Sequence, residues 1–310
     1  MADAERQLAV EGAQRVRVAV CAIVAGVFFF GGQLWVATIA AKEQTVGLLQ
    51  GLTPAFHHLA VAAVDPRTVH ENFLVNHQVA LIVAFVLSYL VGAGAMVVPL
   101  RYLAAAERLR SAAPSPFIGY LASYGPVFVA VAWPAYEVSL VIGAHGYLSG
   151  SARDAAAITA ASGGGVRIAL QLLLTLGTLA VAGAFIMVSM RAMRVGLLTR
   201  MMGTVGIIAG VLFLIPLTPL PVVQALWLVF FGAMLLNFGN RPLPEAWMVA
   251  EARPWPPRQN ARPPRQPRAA REPSVGRGLR RGAAASPPVP APAAPRGPSP
   301  SASKKRKRRR

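Results

Sequence analysis

Apolar residues in this chain gather into long charge-free runs, without the alternation of strands or the single apolar stripe of a soluble helix. Residues 18–41, 72–100 and 168–190 contain no Asp, Glu, Lys or Arg, and each covers the roughly 20 helical residues that cross about 30 Å of hydrocarbon. A fourth run, 117–142, is interrupted only by Glu137. The uncharged stretch 201–240 is too long for one crossing and is divided by Pro216, Pro219 and Pro221. These prolines remove backbone donors and clash with the preceding turn, leaving about 16 apolar residues on either side, enough for two short spans. The pattern predicts an all-α polytopic membrane bundle of about six transmembrane helices, at 18–41, 72–100, 117–142, 168–190, 201–216 and 222–239. The first run exceeds the roughly 7 to 15 residues of a signal-peptide core and is read as a retained helix.

Composition agrees. Of 310 residues, 55 % are hydrophobic and 14 % charged, against roughly a quarter charged in soluble domains, which excludes a soluble domain of this length. The net charge of +19 is unevenly placed: residues 241–310 carry 18 Lys and Arg, three acids and 16 of the 26 prolines. Such a segment cannot bury enough apolar surface to offset its ordering entropy and is read as a disordered tail. Arginine outnumbers lysine 27 to 4, as in GC-rich bacterial coding sequences. The single cysteine, Cys21, excludes an internal disulfide and reads as a small apolar helix residue.

Lysine and arginine in alternate connections fix an expected orientation, because positive residues stay on the cytoplasmic side. One side receives 27 of them and the other only Lys42, Arg67, Arg153 and Arg167. Both termini are therefore expected in the cytoplasm, with residues 1–17 as a cytoplasmic N-terminus and the whole in the plasma membrane. A re-entrant hairpin at 201–240 would leave the tail on the same side.

Local signals refine the boundaries. Thr53-Pro54 reads as an N-cap and first helical proline, opening a surface segment with Phe56, His57, His58 and Leu59. Thr68-Val69-His70-Glu71 fits a capping box for the second helix, and Gly163-Gly164-Gly165 reads as a flexible outer linker. Ala80, Ala84, Ser88 and Gly92 recur every four residues, as do Gly206 and Gly210, the small-residue spacing that lets helix backbones approach in lipid. Packing within the bundle is the commoner use of such a stripe, and dimerisation the alternative.

Ionisable side chains inside a span are functional candidates by default. His77 lies 23 residues from Leu100 and Glu137 lies 20 from Phe117, so antiparallel neighbours place them at matching depth, flanked by Asn76, Gln78 and Tyr136. This pair is a candidate intramembrane polar site, structural or proton-coupled. His57, His58, His70, His77 and His145 all fall in the outer half, which raises a metal or pH-sensing alternative. The spacing opposes a metal: His70 and His77 stand two turns apart, roughly 10 Å, and no H-x-x-x-H or H-E-x-x-H occurs. No cofactor is called for, since phosphate-binding, dinucleotide-binding and nucleophile-elbow motifs are absent. No internal repeat of the kind carriers show is found.

The chain ends in a seven-cation block, Lys304, Lys305, Arg306, Lys307, Arg308, Arg309 and Arg310. Each cation near an anionic leaflet is worth about 1 kcal/mol, and a flexible tail of this length reaches roughly 40 to 50 Å. Membrane lipid is the favoured partner, a protein groove docking Pro287-Pro288-Val289-Pro290 a second, and nucleic acid a third.

The stretch from Arg191 to Arg200, the hairpin after it, and Asn240-Arg241-Pro242-Leu243-Pro244-Glu245-Ala246-Trp247 followed by Glu251-Ala252-Arg253-Pro254-Trp255-Pro256 resemble uncharacterised multi-pass membrane proteins of high-GC Gram-positive bacteria. The likeness covers roughly residues 190 to 256. It implies a location and supplies no catalytic residues, and the Pro-Trp-Pro segment fits the membrane interface. The sequence thus points to a non-enzymatic scaffold or interaction protein, with a small-solute or ion transporter and an outer-face metal protein as rivals.

Overall fold

A computed structural model describes residues 2–43, 66–150, 164–215, 217, 220–238 and 243–255. The first four apolar runs each become a helix longer than the run. They are α1 (Ala2–Ala40), a continuous rod built of α2 (Pro66–Phe85), a π-helical stretch (Val86–Ala93) and α3 (Gly94–Arg110), then α4 (Pro116–Ser149) and α5 (Gly165–Arg194). The fifth run gives two short helices, α6 (Arg200–Leu214) and α7 (Val222–Leu235), and a 3₁₀ turn follows at Glu245–Trp247. No strand occurs among the described residues.

Two boundary expectations change. Helix α1 begins at Ala2, so the helix continues outward from the apolar run through residues 2–17, whose Ala, Glu, Gln, Arg and Leu are good helix formers. The rod begins at Pro66, where a missing N–H is tolerated in the first turn. Thr68 to Glu71 therefore lie inside the helix, and Glu71 turns to Arg67 one turn back rather than capping the start.

Each helix packs on the next in sequence, and α7 returns to pack on α1, so the six rods close a ring. Neighbours run antiparallel, as the close approaches show. Gly32 abuts Ser88 and Gly92 abuts Phe29, Gly125 abuts Val181 and Gly177 abuts Val129, and Gly26 abuts Ala225 while Gly232 abuts Ala19. At Gly92 a Cβ would stand 2.6 Å from the Phe29 backbone nitrogen, so only glycine permits this approach of the rod to α1. One end of the bundle gathers Arg110, Arg191, Arg194 and Arg200, and the other gathers His70, His77 and His145. We call these the arginine end and the histidine end.

Four helices are long and apolar enough to cross a membrane. Helices α6 and α7, with 15 and 14 residues, rise only about 22 and 21 Å, short of about 30 Å of hydrocarbon. The two full spans expected at 201–216 and 222–239 thus meet a length limit. The outward faces are apolar, with Val20, Val79, Leu90, Val131, Ile142, Leu172 and Phe230 exposed around the ring. A surface this apolar over all sides suits lipid, not water. The main interior cluster runs from the arginine end to mid-bundle through Leu100, Leu103, Phe185, Val188, Trp227 and Phe231.

Candidate functional site

At the histidine end the sequence candidates separate. His77 rests its ring on Phe73, centroids 4.5 Å apart, and its Nδ1 is 3.1 Å from the Phe73 carbonyl oxygen one turn back. Glu137 is buried on α4, within the electrostatic reach of His70. Among the described residues no hydrogen bond or ion pair joins His77 to Glu137. His70 Nδ1 meets Glu43 Oε1 at 2.6 Å, His145 Nε2 meets Gln78 Oε1 at 3.1 Å, and Asn76 is exposed. His70, His77 and His145 are thus each engaged with a group other than Glu137. Among the described residues no group of three His, Cys, Asp or Glu converges as metal ligands would. His57 and His58, with the segment opened by Thr53, lie outside the described residues, as do the block Lys304 to Arg310 and the Pro287 stretch.

The small-residue positions face other helices. Ala84, Ser88 and Gly92 are buried, and Ala80 packs on a smaller apolar cluster of Ile39, Leu74, Leu81 and Ala144. Gly206 faces Ser189 and Trp227, and Gly210 faces Ala182 and Ile186. Ser88 also carries a polar relay: Gln33 Nε2 donates to its Oγ at 3.1 Å, which donates to the Phe29 carbonyl at 3.1 Å.

The most elaborate polar site lies at the arginine end, and sequence reasoning missed it. Arg110 Nη1 and Nη2 donate to the two carboxylate oxygens of Glu11 at 3.0 and 2.8 Å, and its Nε donates to the Ala246 carbonyl at 2.9 Å. Tyr102 Oη donates to the Glu11 carbonyl at 3.0 Å. Trp247 sits on this cluster. Its ring stacks on Tyr102 at 5.5 Å and 7°, carries the Arg110 and Arg15 guanidinium groups at 5.8 and 6.0 Å, and donates Nε1–H to the Leu197 carbonyl at 2.8 Å.

A second tie follows along the same segment. Trp255 Nε1 donates to the Leu198 carbonyl at 2.8 Å, and Arg253 N donates to the Val195 carbonyl at 3.0 Å. Gly196, at φ +84°, makes the turn after α5 in a conformation that favours glycine, and the Arg253 carbonyl rests where a side chain would project. Residues 243–255 are therefore clamped across the ends of α1, α3, α5 and α6. The signal for this was two tryptophans and an Arg-rich turn in one stretch of sequence, legible as interface residues but not as partners. Beside it, Arg191 approaches the fully buried Glu107 carboxylate at 3.5 Å, and that carboxylate accepts no hydrogen bond among the described residues.

Between the two ends lies a cavity of about 200 Å³, lined by α1, the π-helical stretch, α4, α5 and the tip of the α6–α7 hairpin. Tyr89 and Trp133 on its wall stand 12 residues from Arg101 and 17 from Pro116, roughly 18 to 25 Å from the arginine end at 1.5 Å per residue. Below it the bundle is closed by fully buried Met96, Leu100, Leu103, Phe185, Trp227 and Phe231. Comparison with family models, with curated proteins and with solved structures returns no match, so chemistry and geometry alone carry the functional reading.

Proposed function

We propose that this is a non-enzymatic plasma-membrane scaffold that presents a polybasic tail to the anionic inner leaflet. In this reading four long helices cross the membrane, and α6 and α7 enter from the cytoplasmic side as a re-entrant hairpin. Both termini are then cytoplasmic, in keeping with the 27-to-4 distribution of Lys and Arg. The resemblance to multi-pass proteins of high-GC Gram-positive bacteria belongs to the same proposal.

The observation that carries it is the clamp on residues 243–255. The Arg110 bond to the Ala246 carbonyl, two indole N–H bonds and a cation–π stack tie the root of the tail to the bundle, as a fixed emergence point requires. The packed interior below the cavity also favours a scaffold over a transporter, which needs a polar path to the cytoplasm.

The test compares the full chain with a version ending at Trp255, both in nanodiscs of neutral lipid, for binding to phosphatidylglycerol vesicles. The full chain is expected to bind with an affinity that falls steeply with salt, and the shortened chain not to bind. Equal binding by the two chains, or binding indifferent to salt, overturns the reading. Proton or cation flux above that of empty liposomes would favour the transporter.

A further inference from the structure

The mid-bundle cavity has the properties of a ligand site that the scaffold role does not use. Among the described residues no acid, base or histidine lines it; its polar groups include the Tyr89 hydroxyl, the Trp133 indole N–H, and the Gln33 and Gln224 amides. Gln33 is engaged with Ser88. Tyr89, Trp133 and Gln224 have no hydrogen-bond partner for their polar atoms among the described residues. Tyr89 and Gln224 are only 8 % and 5 % exposed, yet their polar atoms are not among those sealed from accessible space. Both side chains line the cavity. Hydrogen-bonding groups left unmade in such surroundings cost about 1 to 3 kcal/mol each.

The walls are flat and aromatic. Tyr89 and Trp133 stack at 5.0 Å and 15°, and Phe29 and Phe213 add two more rings. Tyr89 stands in the π-helical stretch Val86–Ala93, a widened turn of the kind that recurs at functional sites. A cavity of about 150 Å³ admits a benzene-sized ring, so this one has room for such a ring with oxygen substituents. Its rim includes Leu217, 76 % exposed, and Leu220, an apolar exit suited to a hydrocarbon chain.

We propose that this cavity binds the carbonyl-bearing ring of a neutral membrane lipophile, a quinone-class lipid. Tyr89 Oη–H and Gln224 Nε2–H donate to the carbonyl oxygens, the Tyr89–Trp133 pair lies against the ring face, and the alkyl chain leaves past Leu217 into the bilayer. Neutrality of the ligand follows from the uncharged lining, and its acceptor character from the unpaired donors.

The test titrates decylubiquinone into the full chain in nanodiscs, followed by calorimetry and by saturable quenching of tryptophan fluorescence. Decylbenzene, which has an alkyl-bearing ring and no carbonyl, serves as the competitor. Saturable quinone binding is expected, at least tenfold tighter than decylbenzene and weakened about tenfold by either Tyr89→Phe or Gln224→Leu. Tyr89→Phe removes one unpaired oxygen, so it keeps the fold and the test even where Gln224→Leu does not. Absence of saturable binding, equal affinity for decylbenzene, or indifference to Tyr89→Phe overturns the proposal. Vesicle binding by the tail is independent of all these outcomes.

Discussion

Glu11 and Arg110 stand 99 residues apart in the chain and meet in a bidentate ion pair, Nη1 to Oε1 at 3.0 Å and Nη2 to Oε2 at 2.8 Å. Each lies on a helical extension beyond its apolar run, and the Arg110 side chain is wholly buried. The pair is sealed by Trp247, so the first helix, the end of the rod and the segment leading to the tail form one joint. Removing one partner of such a pair leaves an uncompensated buried charge, whereas removing both does not.

Arg110→Met alone is expected to lower unfolding stability by about 3 to 5 kcal/mol. The double variant Glu11→Leu with Arg110→Met is expected to recover most of that loss. Denaturant unfolding of the detergent-solubilised full chain measures both. A double variant as unstable as the single one would show that the pair's carbonyl contacts, not its charges, hold the joint.

Trp247→Ala is expected to cost about 3 to 5 kcal/mol, as for other large buried aromatics, and to release the root of the tail. Limited proteolysis should then cleave within residues 243–255 several times faster than in the parent chain. Trp255→Phe keeps the ring and loses one hydrogen bond, for about 1 kcal/mol. Unchanged cleavage in Trp247→Ala would remove the clamp as the tail's anchor.

Gly92→Ala is expected to destabilise by about 1 to 3 kcal/mol, because its Cβ would stand 2.6 Å from Phe29 N and 2.9 Å from Phe29 Cα. Gly146 has nothing within 4 Å of such a Cβ, so Gly146→Ala is expected to stabilise α4 by about 0.5 to 1 kcal/mol. Thermal unfolding of the two variants side by side decides; losses of equal size would contradict the antiparallel contact of the rod with α1.

In a Cys21→Ala background, Lys42→Cys is expected to react with an impermeant maleimide on intact cells and Ala112→Cys only after lysis. The reverse pattern would invert the proposed topology.

Much of the fold was legible because hydrocarbon imposes length. Residues 18–41, 72–100 and 168–190, free of charge, and 117–142, broken only by Glu137, are long apolar runs that satisfy their own backbone best as helices, and apart from residue 41 they lie within long helices. Less legible were the ends: Ala2 to Arg17 and Tyr102 to Arg110 are polar enough to read as loops, yet they extend helices because good helix formers continue an existing turn cheaply. His77 and Glu137 lie at similar counts from the arginine ends of their apolar runs, but Gln78 meets His145 and Tyr89 stacks on Trp133, a register that sets Glu137 deeper in the bundle than His77. His77 turned to Phe73, and Glu137 came within reach of His70.

By itself, then, the sequence determined that the chain is helical, apolar on its outside and strongly basic at its end, because those properties are sums over local composition. Only the tertiary structure decided that Glu11 meets Arg110, that Trp247 covers them, and that Tyr89, Trp133 and Gln224 surround one cavity. Those relationships join residues tens to more than a hundred positions apart, and they depend on which face each helix turns inward once the ring closes.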